Sequence, residues 1–364
     1  MINRKLPKLK IGTIEIEKPI IQGGMGVAIS LSGLASAVAN TGGLGVIPTI
    51  EIGLLEPDFN KNPRAANAKA LRREIRKAIE MSNENIGINL MVASSDYLDL
   101  FNLSVDEGIK IIFIGAGLPL QTLPIEKIKN LGVNIVPIVS SARAARVIFQ
   151  FWKRKYNHIP DGVVVEGPMA GGHLGFKKNQ IEDPLFALEK ILPEVISELD
   201  VFEREFDKKI PVIAAGGIYT GADIHKFLLM GAQGVQMATR FVATHECDAS
   251  IEFKKAYLNC KKEDLVIINS PVGLPGRAIN NNYLREVDLG IKKPFTCPWK
   301  CIITCDYKTA PYCIALALIN AQKGKLRNGF AFAGSNAYRT DEIISVKELI
   351  DKLAKEFEVA ASSQ

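Results

Sequence analysis

The sequence predicts an α/β protein, a (β/α)8 TIM barrel with an inserted cap domain near the C-terminus. Three observations carry that reading. Eight short apolar runs alternate with helical segments over the first 240 residues, and strands that stay apolar without alternating are those buried on both faces under helices. Eight βα units favour a closed barrel over an open doubly wound sheet. The 364 residues accommodate one barrel of about 250 residues and roughly a hundred more.

The elements follow in order. "LKIGTIEIEKP" reads as a small hairpin closing the barrel floor. Strands are expected at Pro19–Gln22, Leu44–Pro48, Ile86–Leu90, Ile111–Ile114, Val133–Ile138, Gly162–Val165, Pro211–Ala214 and Gly234–Met237. Helices include Ser32–Asn40, Ala142–Lys155 and Ala222–Met230. A long basic helix, "RAANAKALRREIRKAIE", precedes the third strand. Its Arg72, Arg73, Arg76 and Lys77 read as a solvated outer face, with a docking patch for an acidic carrier protein or a nucleotide phosphate as the sharper alternative. After residue 245 a helix, a short strand and a Gly/Pro-rich turn lead to a cysteine segment at 297–313, an apolar helix near Ala315–Lys323 and the stretch "NGFAFAGSNA". The amphipathic "SVKELIDKLAKEF" is expected to pack as the eighth helix. The expected division is a ligand-binding barrel over 1–245, a cap or substrate domain over 246–336, and a helix within 337–364 returning to the barrel.

Composition narrows the class. Apolar residues at 47% and charged residues at 23% are ordinary globular usage. The charge of +6 is mild, suits an anionic small molecule, and comes with no nucleic-acid-binding motif. No run approaches the ~18 apolar residues of a membrane span, and the basic N-terminal stretch lacks an apolar signal core, so a cytoplasmic protein is expected.

Barrel ligands sit at the C-terminal ends of the strands. The first strand ends in Gln22-Gly23-Gly24-Met25-Gly26, where Gly23 and Gly24 let backbone approach a flat ligand. The third carries Asn89, a neutral donor and acceptor suited to a ring edge; an Asn bonded to nearby backbone is as common. The seventh runs into "AAGGI" (Ala215, Gly216, Gly217) and the eighth into Gln236-Met237-Ala238-Thr239-Arg240. Bare N–H groups after the last two strands form the recurrent phosphate site of barrels, against the plainer reading that such glycines only permit tight turns.

The sixth strand leads into "VVVEGPMAGGHLGF". His173, the one histidine of four flanked by glycines in an active-face loop, is suited to act as general base or hydrogen-bond donor. His158, His225 and His245 are assigned no chemistry. Glu166 is expected to anchor the loop by hydrogen bonds. Cys297, Cys301, Cys305 and Cys313 follow C-x3-C-x3-C-x7-C, a spacing that would line three thiols along a helix face. Close cysteines can ligate zinc or an iron–sulfur cluster. This spacing is not the C-x2-C of zinc ribbons or bacterial ferredoxins, so reduced cysteines packed in the cap are expected and no metal ligand is assigned.

Together these motifs resemble the flavin-dependent nitronate monooxygenases, also called 2-nitropropane dioxygenases, and the related flavin-type enoyl-acyl-carrier-protein reductases. The matching segments are "IIQGGMG", "GGLGVI", "GINL", "EGPMAGGHLG", "IPVIAAGGI", "GAQGVQMATRFVATHECDAS" and "PGRAINN", in order through nearly the whole chain. The resemblance implies non-covalent FMN under a cap. It implies Gly23, Met25 and Asn89 at the isoalloxazine, and Gly171 and Gly172 approaching it. Gly216, Gly217, Met237, Ala238 and Thr239 would hold the phosphate, with Ala238 standing where glycine is expected. His173 would lie by the reactive face. The implied activity is oxidation of alkyl nitronates by dioxygen to a carbonyl compound and nitrite. The alternative is NAD(P)H-dependent reduction of an enoyl thioester. A small-molecule substrate and a homodimer are compatible with either. Outside this class stand a flavin-free barrel synthase and a non-catalytic flavin carrier.

Overall fold

The computed structural model describes residues 5–82, 86–291, 293, 296–297 and 299–363; the first four residues of the basic N-terminal stretch lie outside them. Strands β1 (Leu9–Ile11) and β2 (Ile14–Ile16) form an antiparallel hairpin. The barrel strands are β3 (Ile20–Gln22), β4 (Gly45–Pro48), β5 (Ile86–Met91), β6 (Ile111–Gly115), β7 (Asn134–Val139) and β8 (Val163–Glu166). After β9 (Gly172–His173), which belongs to the cap, β10 (Val212–Ala215) and β11 (Gly234–Met237) complete them. Their order is β3-β11-β10-β8-β7-β6-β5-β4, with parallel pairing. Ile21 bridges Leu44 in parallel and closes the ring. The expected (β/α)8 barrel is therefore the fold, each strand lying within about a residue of its expected place.

Alternation along the strands sorts their apolar side chains into two cores. Ile21, Val46, Phe113, Val136, Val164 and Ile213 point inward and pack with Leu9, Ile11 and Ile16 of the hairpin. The hairpin thus fills the barrel floor. Ile20, Ile47, Ile88, Ile112, Val165 and Val235 point outward under the helices. The last helix, Val346–Ser362, begins at a capping box between Ser345 and Glu348. It packs against Gly221–Leu229 and against Ser32–Asn40, the eighth-helix position. Gly221 has no room for a side chain there, since a Cβ would meet Leu353 O at 2.2 Å. The basic helix, Pro63–Met81, lies on the outside: Arg72 and Arg76 pair with Glu107, and Arg73 with Glu56 and Glu74. Arg72, Arg73 and Arg76 are thus matched locally, which favours the plain outer-face reading.

Beyond β11 come a helix at Ile251–Leu258, β12 (Leu265–Asn269) and β13 (Pro275–Ile279). The stretch read as a Gly/Pro turn thus supplies a second strand, its Pro275 and Gly276 falling at the strand's opening. β13 pairs antiparallel with both β12 and β9, so the histidine loop is sewn into the cap's sheet. Tyr283, Tyr312 and Phe330 build a small aromatic core beside it. The cysteine segment is not the helix its spacing suggested. Its described residues run as turns and extended chain, bridged at Ile302 to Ser94.

Candidate active site at the barrel mouth

The mouth is lined by the strands' last inward side chains. On β5, Ile88 and Leu90 face outward, so alternation turns Asn89 inward. Asn89 is half-buried, and its carboxamide makes no hydrogen bond among the described residues. That removes the alternative of an Asn spent on nearby backbone. A Cβ on Gly24 would fall 2.6 Å from the Asn89 Cβ, so the first glycine turn and Asn89 are adjacent. Gln236 faces the same interior beside Gly23, whose missing Cβ would meet its Cγ at 3.1 Å. Gln22 instead lies fully buried, bonded both ways to Val46, and staples β3 to β4. Met25 is held by its N–H donating to Ser30 Oγ at 2.9 Å.

After β10, Gly216 and Gly217 take φ of +90° and +87°, left-handed values that favour glycine. The N–H groups of Gly216, Gly217 and Ala238 have no partner among the described residues. Ala215 and Met237 end the two strands that carry these turns. The stretch 330–336 runs over them: Gly334 N–H donates to Thr239 Oγ1 at 3.2 Å, and Asn336 Nδ2 donates to Gly217 O at 2.6 Å. Between those two contacts sits Ser335, whose buried hydroxyl has no hydrogen-bond partner. The three N–H groups, on half-buried residues, and the buried Ser335 hydroxyl are donors left unused by the protein, and a buried hydroxyl seldom stays unsatisfied.

In the adjoining loop after β8, the Nε2 of His173 and Ser270 Oγ share a hydrogen bond at 2.7 Å. Phe332 stands edge-on to the imidazole, ring centres 5.0 Å apart. Burial pushes the His173 imidazole down to about 4, so it is neutral at pH 7. Ser270 lies in the turn joining β12 to β13, bonded N–H to Leu274 O. Gly172 has φ +75° with open space where a side chain would be. Gly171 lacks a side chain for another reason. Residues 333 and 334 press against it, leaving 2.5 Å for a Cβ.

Glu166 does not anchor this loop, contrary to expectation. Its carboxylate makes no hydrogen bond among the described residues, because β8 turns it inward; burial pushes it up to about 7. Arg277 is the anchor, its guanidinium donating to Pro168 O at 2.8 Å and Ala170 O at 3.2 Å. Sequence reasoning missed Arg277, Ser270 and Ser335. "PGRAINN" contained Arg277, but nothing local marks two carbonyls more than a hundred residues away as its partners.

A family model described as nitronate monooxygenase matches residues 7–104 and 59–356. The (3aS,4S,5R,7aS)-5-hydroxy-7a-methyl-1-oxo-octahydro-1H-indene-4-carboxyl-CoA dehydrogenase of Mycobacterium tuberculosis is 28% identical over 277 residues, 76% of this chain and 67% of that protein. A probable nitronate monooxygenase of Staphylococcus saprophyticus is 27% identical over 311 residues, 78% of this chain and 81% of that one. Among solved structures, FabK from Thermotoga maritima superposes with a TM-score of 0.74 at 27% identity, over 96% of this chain and 95% of that one.

Proposed function

Because the chain belongs to the nitronate monooxygenase family, we propose that it is an FMN-dependent oxidoreductase that converts alkyl nitronates, with dioxygen, to a carbonyl compound and nitrite. The observation that carries this reading is a neutral, fixed imidazole at the barrel mouth, in the loop next to a set of unpaired donors. FMN fits the residues present. Its phosphate would take the free N–H groups of Gly216, Gly217 and Ala238 and the orphan Ser335 hydroxyl, with Thr239 and the ends of Ala215 and Met237 shaping the turn. Its ring would lie over Gly23, Gly24 and Met25, within reach of the unspent carboxamides of Asn89 and Gln236, and under the Gly171–Gly172 turn. When bound, FMN supplies the redox chemistry, and the chain supplies position and electrostatics.

His173 fits a particular task. A group held near 4 is a poor proton acceptor at neutral pH. A nitronate is already the deprotonated form of its nitroalkane and needs no base, only donors for its negative oxygens. If Ser270 donates to Nε2, the Nδ1–H of the same ring becomes a free donor for them. Ser270 is then a positioning residue that holds the tautomer.

A second reading has specific support. The FabK likeness supports NAD(P)H-dependent reduction of an enoyl thioester, and a relative named as a carboxyl-CoA dehydrogenase is compatible with a thioester substrate. There the same Nδ1–H would bond the thioester carbonyl. Anaerobic mixing of the purified flavoprotein separates the two. Reduction by propyl-2-nitronate with no response to NADH or NADPH sinks the reductase, and rapid bleaching by a nicotinamide sinks the monooxygenase.

A further inference from the structure

Arg277 holds a half-buried positive charge with no carboxylate beside it. It forms no ion pair among the described residues, and burial lowers its pKa, offset in part by Glu182 from beyond ion-pair range. Leaving a desolvated cation unpaired is costly, so its hydrogen bonds must answer for its place. One edge of the guanidinium, Nη2 and Nε, donates to Pro168 O at 2.8 Å and to Ala170 O at 3.2 Å. No backbone N–H among the described residues takes either carbonyl. Two acceptors two residues apart suit the planar fork of a guanidinium and not the point charge of an ammonium.

The main chain of Arg277 ties two further segments to the same point. Its register partner across the sheet is Gly172, next to His173, and its carbonyl accepts the Ala333 N–H at 3.1 Å. Ala333 belongs to the stretch that crosses the turns at 216–217 and 238–239. The loop under the guanidinium rests on the first of those turns. A Cβ on Gly216 would meet Gly167 O at 2.7 Å, and one on Gly217 would meet the Met169 Cβ at 2.9 Å. With glycine at 167, 171 and 172 the loop has little stiffness of its own. Its setting comes from what pins it at 168 and 170.

We propose that Arg277 is a positioning residue that locks the His173 loop to the turn at 216–217 and acts on turnover through His173 alone. This rests on the reading of His173 as donor to the substrate. Without the fork the loop is free to shift and carries the imidazole with it. A misplacement of ~1 Å at a reacting centre can cost on the order of a hundredfold in rate.

The test is a double-mutant cycle on the full flavoprotein, with turnover followed on whichever of propyl-2-nitronate or a nicotinamide reduces the wild type. Arg277→Met should lower kcat at least tenfold and leave KM within about twofold. In the His173→Asn background the same change should cost less than about twofold, because residues acting as a unit are not additive. A further tenfold loss there, or full turnover in Arg277→Met alone, would overturn the proposal. Amide hydrogen exchange supplies a readout independent of activity. Residues 170–174 should exchange at least tenfold faster in Arg277→Met, with the helix Ser32–Asn40 unchanged; equal exchange at 170–174 would also overturn it. If neither compound reduces the wild-type flavin, the functional reading falls, while exchange still decides whether Arg277 holds the loop. If Arg277→Met does not fold, Arg277→Lys, which keeps the charge and loses the fork, is read by the same measures.

Discussion

At the scale of single residues, burial sets the charge of the groups to which the proposed chemistry is assigned. His173 is the first. His173→Asn has no atom at the Nε2 position, so the hydrogen bond with Ser270 that orients the donor is lost; flavin content should stay and turnover should drop at least tenfold, and unchanged turnover would remove the residue from the mechanism. Ser270→Ala should lower turnover in the same direction by a smaller factor, with substrate KM moving less than kcat. Burial also makes these groups sense pH, with opposite signs. For His173, about 4 in the fold against 6.5 ordinarily, stability is present above 6.5 and lost as pH falls toward 4. For Glu51, raised by burial and then by Asp96 to about 7 from 4.5, stability is full below 4.5 and lost as pH rises through 7. One Glu51 carboxylate oxygen is buried with no partner. Glu51→Gln should therefore melt at a higher temperature than the wild type at pH 8, and the gap should shrink toward pH 4. Thermal melts across that range check it, and a gap independent of pH would contradict the assignment.

At the scale of elements, the cap works as a fastener. Strand β9 is two residues long and is held by β13, while 330–336 crosses the turns at 216–217 and 238–239. Two changes probe this. Gly217→Ala places a Cβ 2.9 Å from that of Met169 at φ +87°, so both strain and contact oppose it. Flavin retained after gel filtration should fall more than tenfold; retention at the wild-type level would count against the phosphate grip. Ser335→Ala removes one donor and should weaken FMN by about tenfold, since a hydrogen bond to a charged group contributes roughly 1.5–3 kcal/mol. Much at this scale was readable in advance. The helix Ser32–Asn40 and the strand Gly234–Met237 have the bounds their local pattern implies. Both are set by periodicity within a dozen residues. The cysteine segment failed for the complementary reason: helical spacing of three thiols was outweighed by tertiary bridging at Ser94.

At the scale of the whole molecule, the barrel depends on a plug made before its first strand. Leu9 is fully buried among the inward side chains of the strands, its Cδ2 lying 2.8 Å from where a Cβ on Gly234 would be. Leu9→Ala should cost about 2–5 kcal/mol, the usual range for emptying a core leucine site. Denaturant unfolding measures this, and a loss under ~1 kcal/mol would show that the floor closes without the hairpin. Among the described residues no helix is long and apolar enough to cross a membrane.

By itself the sequence determined the barrel, its strand positions, the glycine turns at 23–24 and 216–217, and the placing of His173 in a loop on the active face. All of these follow from short-range pattern: apolar runs, helical period, and positions where a side chain cannot fit. Only the tertiary structure decided what those residues are free to do. Ser270 reaches His173 across 97 residues, Arg277 takes the anchoring role expected of Glu166, and Ser335 completes a group of unpaired donors. Such pairings depend on which loops the closed barrel brings together, and loop closure leaves no periodic trace in the chain. Burial decided the rest, since it leaves His173 neutral and raises Glu166 and Glu51, and no residue's surroundings can be read from its own neighbours in sequence.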